Sequence, residues 1–142
     1  MFEFVIAASS ADLVVPLPPY RFARDSTAED GLRVYRGIPY AAPPVGNLRW
    51  QFPHPAPIWV GVRAAVQFGR ACIQTNEAIA NLPAPGEDCL YLNVWTPARS
   101  AADKLPVLVW IHGGGFVARV PAEKLYHGEW LAKKGVVFVS PG

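Results

Sequence analysis

The sequence predicts an α/β fold in which antiparallel strands lead into a parallel β-α-β unit. Two continuous apolar runs, residues 107–111 and 136–139, have the length and composition of buried strands. A glycine-rich loop and a segment with helical character separate them. An alternating run at residues 90–96 precedes both and has the period of a strand. Strand, loop, short helix and strand in this order are typical of a crossover between parallel strands.

Length and composition indicate one globular unit. The chain has 142 residues, of which 51% are hydrophobic, so we expect a single domain over residues 1–142 whose segment at about residues 1–19 is poorly defined. The net charge is +2 and Lys133 with Lys134 is the one adjacent basic pair, which argues against nucleic acid as a partner. The apolar stretch at residues 4–8 is too short to span a membrane and lacks the basic start of a signal peptide.

The first third of the chain is predicted to be extended, because nine of the fifteen prolines lie at or before Pro57. Residues 20–35 contain two strand-like runs around a polar turn and predict a hairpin. Residues 37–46 contain three prolines, which exclude a helix or an inner strand. We therefore expect that segment to be an ordered surface loop.

The strand predicted at residues 90–96 is followed by a small, polar segment at residues 97–104. This order predicts that the chain turns back there, so that residues 90–96 and 107–111 pair antiparallel. Residues 107–111 have no polar position, which predicts a central strand covered on both faces.

A helix is predicted over residues 125–134. Lys133 and Lys134 would lie in its last turn, where the helix dipole favours positive charge, and Gly135 would cap it. The strand at residues 136–139 would then lie parallel to residues 107–111.

Cys72 and Cys89 enclose sixteen residues. The spacing suits a disulfide that closes a loop, and two buried free thiols are the alternative. A disulfide would favour a secreted or periplasmic location, whereas the lack of a clear signal peptide leaves a cytoplasmic one open. The chain has no C-x-x-C pair, and we expect no metal site.

The glycine cluster that follows residues 107–111 can aim backbone N–H groups at an anion. Its sequence fits a loose dinucleotide pattern, but Pro121 interrupts the helix that this pattern requires and no acidic residue follows residues 136–139. We therefore expect no cofactor. Three bare glycines would favour a simple tight turn, but His112 before them and Phe116 after them favour a loop that binds the oxyanion of a reacting carbonyl.

Four motifs occur in one order along the chain: YRGIPYA at residues 35–41, PPVGNLRW at 43–50, EDCLYLNVW at 87–95 and HGGGF at 112–116. Together they resemble the N-terminal portion of the type-B carboxylesterase family, which includes the cholinesterases and the para-nitrobenzyl esterases. The resemblance implies an α/β-hydrolase fold, of which this chain would be a truncated part. It also implies a serine hydrolase that acts on small-molecule carboxylic esters.

The resemblance further implies a role for individual residues. The N–H groups of Gly114 and Gly115 would bind the oxyanion, while Gly113 and His112 would shape the loop. Two structural links are also implied, a disulfide between Cys72 and Cys89 and an ion pair between Arg49 and Glu87.

The chain also departs from the family pattern. It contains no G-x-S-x-G segment to present a nucleophile, and no acid or base of a triad can be named. Ser140 reads as a residue at the end of a strand, and His54 and His127 match nothing catalytic. Arg119 stands where the family commonly has glycine, which would stiffen the loop. We therefore expect the chain to be inactive alone, with a non-catalytic cholinesterase-like binding module or a truncated product without function as alternatives.

Overall fold

The computed structural model describes residues 14–17 and 20–23 at the level of the backbone, and residues 31–74, 84–115 and 117–142 more fully. The apolar stretch at residues 4–8 and Phe116, which follows the glycines, lie outside the described residues.

Two sheets account for the strands of the described chain. The smaller sheet contains β1 (Val14–Leu17), β2 (Tyr20–Ala23) and β4 (Arg63–Ala64), in the order β1-β2-β4. The larger contains β3 (Arg33–Pro39), β5 (Tyr91–Thr96), β6 (Val107–Val109) and β7 (Val137–Pro141), in the order β3-β5-β7-β6. One α-helix, α1 (Glu129–Ala132), and the 3-10 turns Gly46–Leu48, Ala101–Asp103 and Lys124–Tyr126 complete the described elements.

Strand β5 lies in the interior of the larger sheet, where it pairs antiparallel with β3 on one side and β7 on the other. Its residues 92–96 are buried, and Trp95 is completely inaccessible. The Trp95 ring packs edge-on against Phe138 of β7, and its Nε1 donates to Glu129 Oε1 at 3.0 Å. The strand predicted at residues 90–96 is therefore confirmed, and its side chains form much of the core.

The predicted antiparallel pairing of residues 90–96 with residues 107–111 is wrong. Strand β7 lies between β5 and β6, and β6 pairs with β7 instead. The β6–β7 pair is parallel, as the crossover pattern predicts. A strand has only two edges, and β3 and β7 occupy both edges of β5, so β6 is displaced to the far side of β7.

The predicted hairpin over residues 20–35 is also wrong, because β2 pairs with β1 and β4, whereas β3 pairs with β5 in the other sheet. In addition, β3 extends to Pro39, so residues 37–39 belong to a strand and not to the predicted surface loop. The proline is tolerated because β3 is an edge strand. Its pairing with β5 shifts register around Gly37, which has a φ of +70°.

Strand β6 lies at the other edge of the sheet and is exposed. Val107 is 51% and Val109 58% accessible, and Ile111 beyond the strand is 77% accessible. The prediction of a central strand covered on both faces over residues 107–111 is therefore wrong for the described part of the chain. The continuous apolar run correctly indicates a strand, but the described residues supply no layer to cover it.

The connection from β6 to β7 contains less helix than predicted. The segment at residues 125–134 forms the 3-10 turn Lys124–Tyr126 and then the four residues of α1. Helix α1 begins after Gly128, where a Cβ would lie 2.3 Å from Phe138 Cδ1. The absence of a side chain at Gly128 therefore lets the start of α1 pack directly against Phe138 of β7. The predicted capping role of Gly135 is wrong, because α1 ends at Ala132 and its C-cap is Lys133; Gly135, with a φ of +90°, lies in the turn between α1 and β7.

Cys72 and Cys89 form a disulfide with their Cα atoms 5.0 Å apart, which excludes the alternative of two free thiols. Cys89 is buried and lies two residues before β5. The disulfide therefore links Cys72, which lies 17 positions earlier in the sequence, to the segment that enters β5.

Replacing both cysteines, by Cys72→Ser with Cys89→Ser, is expected to lower the free energy of unfolding by about 3 kcal/mol, because the unfolded chain regains the entropy of an open loop of this length. Urea titration of the two proteins measures the difference. The unchanged chain in excess reductant should approach the value of the double variant, and a loss below about 1 kcal/mol would contradict this account.

Candidate active site

The glycine loop, defined here as residues 112–119, follows the exposed strand β6. Trp110 donates its N–H to the carbonyl of Val139 at 2.8 Å, so the ladder with β7 continues one residue beyond β6. The loop therefore leaves the carboxyl end of a strand in a parallel pair. This is the edge at which α/β sheets commonly bind ligands.

His112 is held at the start of the glycine loop by its ring. Nδ1 lies 2.8 Å from the carbonyl oxygen of Gly113, and because a carbonyl can only accept, Nδ1 carries the proton in this contact. The ring also stacks on Tyr126, with 6.2 Å between centroids, and Tyr126 in turn contacts Trp110. These contacts fix the His112 ring against the start of the loop and against Tyr126.

Gly114 is the most constrained of the three glycines. Its φ is +130°, and a Cβ at this position would lie 1.8 Å from the carbonyl oxygen of Ala118. The Gly114 carbonyl accepts hydrogen bonds from the N–H groups of Val117 and Ala118, at 3.1 and 3.2 Å. The loop therefore closes on itself around a residue that must lack a side chain.

The neighbouring glycines differ from Gly114. Gly115 has a φ of +61°, but open space surrounds the position of its missing Cβ, and Gly113 has open space without a left-handed backbone. The amide N–H groups of Gly114 and Gly115 donate to no acceptor within the described ranges. In the described part of the chain, two adjacent backbone donors of this loop therefore have no acceptor.

Arg119 ends the glycine loop with a φ of +96°, a region that non-glycine residues enter at a cost of about 1–3 kcal/mol. The side-chain amide of Gln74 contacts its backbone: the Arg119 N–H donates to Gln74 Oε1 at 2.9 Å, and Gln74 Nε2 donates to the Arg119 carbonyl at 3.1 Å. The Arg119 guanidinium forms an ion pair with Glu123 at 3.0 Å. These contacts hold the strained residue in place.

The two implied structural links lie away from the glycine loop in sequence. Cys72 and Cys89 are bonded, and Arg49 Nε donates to the carboxylate of Glu87. The Arg49 and Glu87 side chains are 53% and 36% accessible, so solvent screens their attraction. The ion pair fastens the segment after the Gly46–Leu48 turn to the segment that enters β5.

The remaining serine and histidine candidates do not form a nucleophilic site. Ser140 is fully buried in β7, where it cannot meet a substrate. His54 is exposed in a loop. His127 packs between Phe68 and Trp95, with ring centroids 5.2 and 5.7 Å away, and its Nε2 lies 3.2 Å from the Ala122 carbonyl. These contacts indicate that His127 has a structural role.

A cleft of about 280 Å³ lies near β3 and the start of β5, apart from the glycine loop. Arg63, Arg70, Asp88 and Tyr91 are among the residues that line it. The Tyr91 hydroxyl donates to Asp88 Oδ2 at 2.9 Å. Burial, helped by this hydrogen bond, raises the pKa of Tyr91 above its usual value.

The described residues include no group of three or more His, Cys, Asp and Glu side chains placed to hold a metal ion. None of the helices in this part of the chain has the length and hydrophobicity needed to cross a bilayer.

The sequence profile described as the carboxylesterase family matches residues 22–142. The chain belongs to the carboxylesterase family. Among its relatives in this family, the fumonisin B1 esterase of Sphingopyxis macrogoltabida is 44% identical over 114 residues, which are 79% of this chain and 21% of the relative. The para-nitrobenzyl esterase of Bacillus subtilis is 43% identical over 117 residues, which are 80% of this chain and 24% of that enzyme.

Solved structures of carboxylesterases have the same fold. The carboxylesterase of Geobacillus stearothermophilus superposes with a TM-score of 0.83 at 39% identity, covering 92% of this chain and 26% of the other. A PNB esterase gives a TM-score of 0.82 at 37% identity, covering 91% of this chain and 27% of the other. The larger sheet and its crossover are therefore part of an α/β-hydrolase fold. The chain spans about a fifth to a quarter of the length of these relatives.

Reasoning from the sequence did not find the residues that brace the glycine loop from outside. Gln74 lies 45 residues before Arg119, and Tyr126 contacts His112 from the crossover segment. No local pattern marks either residue, because each acts through a contact that exists only in the folded chain.

The constraint on Gly114 leads to a prediction with a matched control. Gly114→Ala is expected to lower the free energy of unfolding by at least about 2 kcal/mol, because the new Cβ would collide with the Ala118 carbonyl. Gly113→Ala, which meets open space, should change it by less than about 0.5 kcal/mol. Urea titration of both variants checks the difference. Equal effects at the two positions would show that the loop does not have the geometry described for Gly114.

Arg49→Met is expected to lower the free energy of unfolding by no more than about 1 kcal/mol, because the ion pair with Glu87 is exposed to solvent. Thermal unfolding at low and at high salt measures this contribution, which should shrink as salt screens the charges. Glu87→Gln serves as the partner control. A loss above about 2 kcal/mol from either variant would mean that the pair is effectively buried.

Proposed function

We propose that this chain carries the oxyanion hole of a serine hydrolase that cleaves small-molecule carboxylic esters. Gly114 and Gly115 are the donors, and Gly113 and His112 shape the loop that presents them. The observation that carries the proposal is the pair of adjacent amide N–H groups, which have no acceptor among the described residues and lie in a loop that excludes a side chain at Gly114. Membership of the carboxylesterase family supports the substrate class.

The chemistry follows from where charge develops during ester cleavage. A nucleophile that attacks the ester carbonyl converts its oxygen into an anion, and donors already aimed at that position stabilise the transition state without reorganising. Removing one such donor typically costs about 10²–10³ in kcat. The hydrogen bonds of the Gly114 carbonyl and the brace from His112 hold the loop in shape before substrate arrives.

The nucleophile is assigned to residues outside this chain. The sequence has no G-x-S-x-G segment, and Ser140 is buried. We infer that the serine, acid and histidine of a triad come from the remainder of a hydrolase fold, which would join the sheet along the exposed β6. The chain by itself is then inactive.

The isolated chain should therefore neither react with a fluorophosphonate probe nor release nitrophenol from a short-chain nitrophenyl ester, because both reactions need an activated serine. Mass spectrometry of the probe adduct and absorbance of nitrophenolate are the measurements. The para-nitrobenzyl esterase of Bacillus subtilis serves as a positive control. Covalent labelling of any serine in this chain would overturn the assignment of the nucleophile.

A chimaera tests the oxyanion hole itself. Residues 22–142 would replace the matching stretch of the para-nitrobenzyl esterase of Bacillus subtilis, which supplies the other catalytic groups. The chimaera is expected to hydrolyse nitrophenyl esters, and Gly114→Ala within it should lower kcat by about 10²–10³ through misplaced donors. Gln51→Met, at an exposed position outside the glycine loop, is the control and should stay within a few-fold. A folded chimaera without turnover would favour the non-catalytic binding module instead.

A further inference from the structure

We propose that Gln74 is a positioning residue for the oxyanion loop. It would act by clamping the backbone of Arg119 and so fixing the end of the turn that contains Gly114 and Gly115. This inference rests on the proposed function for its catalytic meaning, but its structural content can be tested without any turnover.

The first observation is the geometry of the clamp. A primary amide offers one acceptor and two donor hydrogens, and Gln74 uses both kinds on one residue. Its Oε1 accepts from the Arg119 N–H at 2.9 Å, and its Nε2 donates to the Arg119 carbonyl at 3.1 Å. The same Nε2 lies 3.3 Å from the carbonyl oxygen of Cys72. The side chain therefore satisfies both backbone groups of a residue that is 45 positions away.

The second observation is the conformation of the residue that is clamped. Arg119 has a φ of +96°, which is strained for any residue with a Cβ. Without the two hydrogen bonds from Gln74, relaxation of this φ would change the direction in which the chain leaves the loop. Gln74 therefore holds a conformation that the local sequence alone disfavours.

The third observation connects the clamp to the glycines. Ala118 immediately precedes Arg119, its N–H donates to the Gly114 carbonyl, and its own carbonyl fills the space where a Gly114 side chain would lie. A movement of Arg119 is thus transmitted through one peptide unit to the backbone of Gly114. On the other side, Gln74 follows Cys72 by two residues, so the disulfide anchors the clamp near β5.

Hydrogen exchange of the full 142-residue chain, followed amide by amide with NMR, tests the clamp. Gln74→Met is expected to accelerate exchange of the Arg119 amide about tenfold, the effect of losing one hydrogen bond, and to shift the Gly114 and Gly115 amide resonances. Exchange of the amides in β5 and β7 should stay unchanged. Gln74→Glu keeps an oxygen that can accept from the Arg119 N–H but loses the donor to the Arg119 carbonyl, so it should restore only part of the protection.

Gln51→Met is the matched control, because it makes the same substitution at an exposed position and should leave the Arg119 amide unaffected. The proposal is overturned by unchanged Arg119 exchange in Gln74→Met, by an equal acceleration of all amides, or by an equal effect of Gln51→Met. These readings are independent of ester hydrolysis. If Gly114→Ala does not lower kcat in the chimaera, the oxyanion hole is refuted but the clamp is not. If Gln74→Met does not change the exchange of the Arg119 amide, the clamp is refuted but the oxyanion hole is not.

Discussion

The pairing of β5 with β7 is the interaction on which the rest of this structure depends. It places Trp95 and Phe138 in contact at the centre of the core and lets α1 pack against both strands through Gly128 and Glu129. Because β7 is fixed in this way, β6 can add to its free edge in parallel. The position of the glycine loop therefore depends on the antiparallel pairing of β5 with β7, although neither strand belongs to the loop.

The glycine loop itself is held at both ends by different kinds of contact. At its start, the ladder between Trp110 and Val139 and the ring of His112 orient the chain as it leaves β6. At its end, Arg119 keeps a strained φ between the backbone contacts of Gln74 and the ion pair with Glu123. Under the proposed function, these restraints would hold the amide donors of Gly114 and Gly115 in position before an anion forms, as preorganised stabilisation requires.

Strand β6 forms an exposed edge of the larger sheet and leads into the glycine loop. The relatives are about four to five times longer than the part that this chain matches. An apolar strand with a free edge, such as β6, is a surface that folded proteins cover or pair. Under the proposed function, this edge is where the remaining strands of the hydrolase fold join, and it lies directly beside the loop that would bind the oxyanion.

The sequence by itself determined the family, the strands at residues 90–96 and 136–139, the parallel crossover and the loop at His112, because these depend on local periodicity and on contiguous motifs. Tertiary structure decided the strand order, the exposure of β6 and the short helix, because each depends on which partner occupies an edge or a face. The tie between Gln74 and Arg119 belongs to the same group. Two hydrogen bonds between residues 45 positions apart produce no periodic pattern in the sequence, so they cannot be predicted from it.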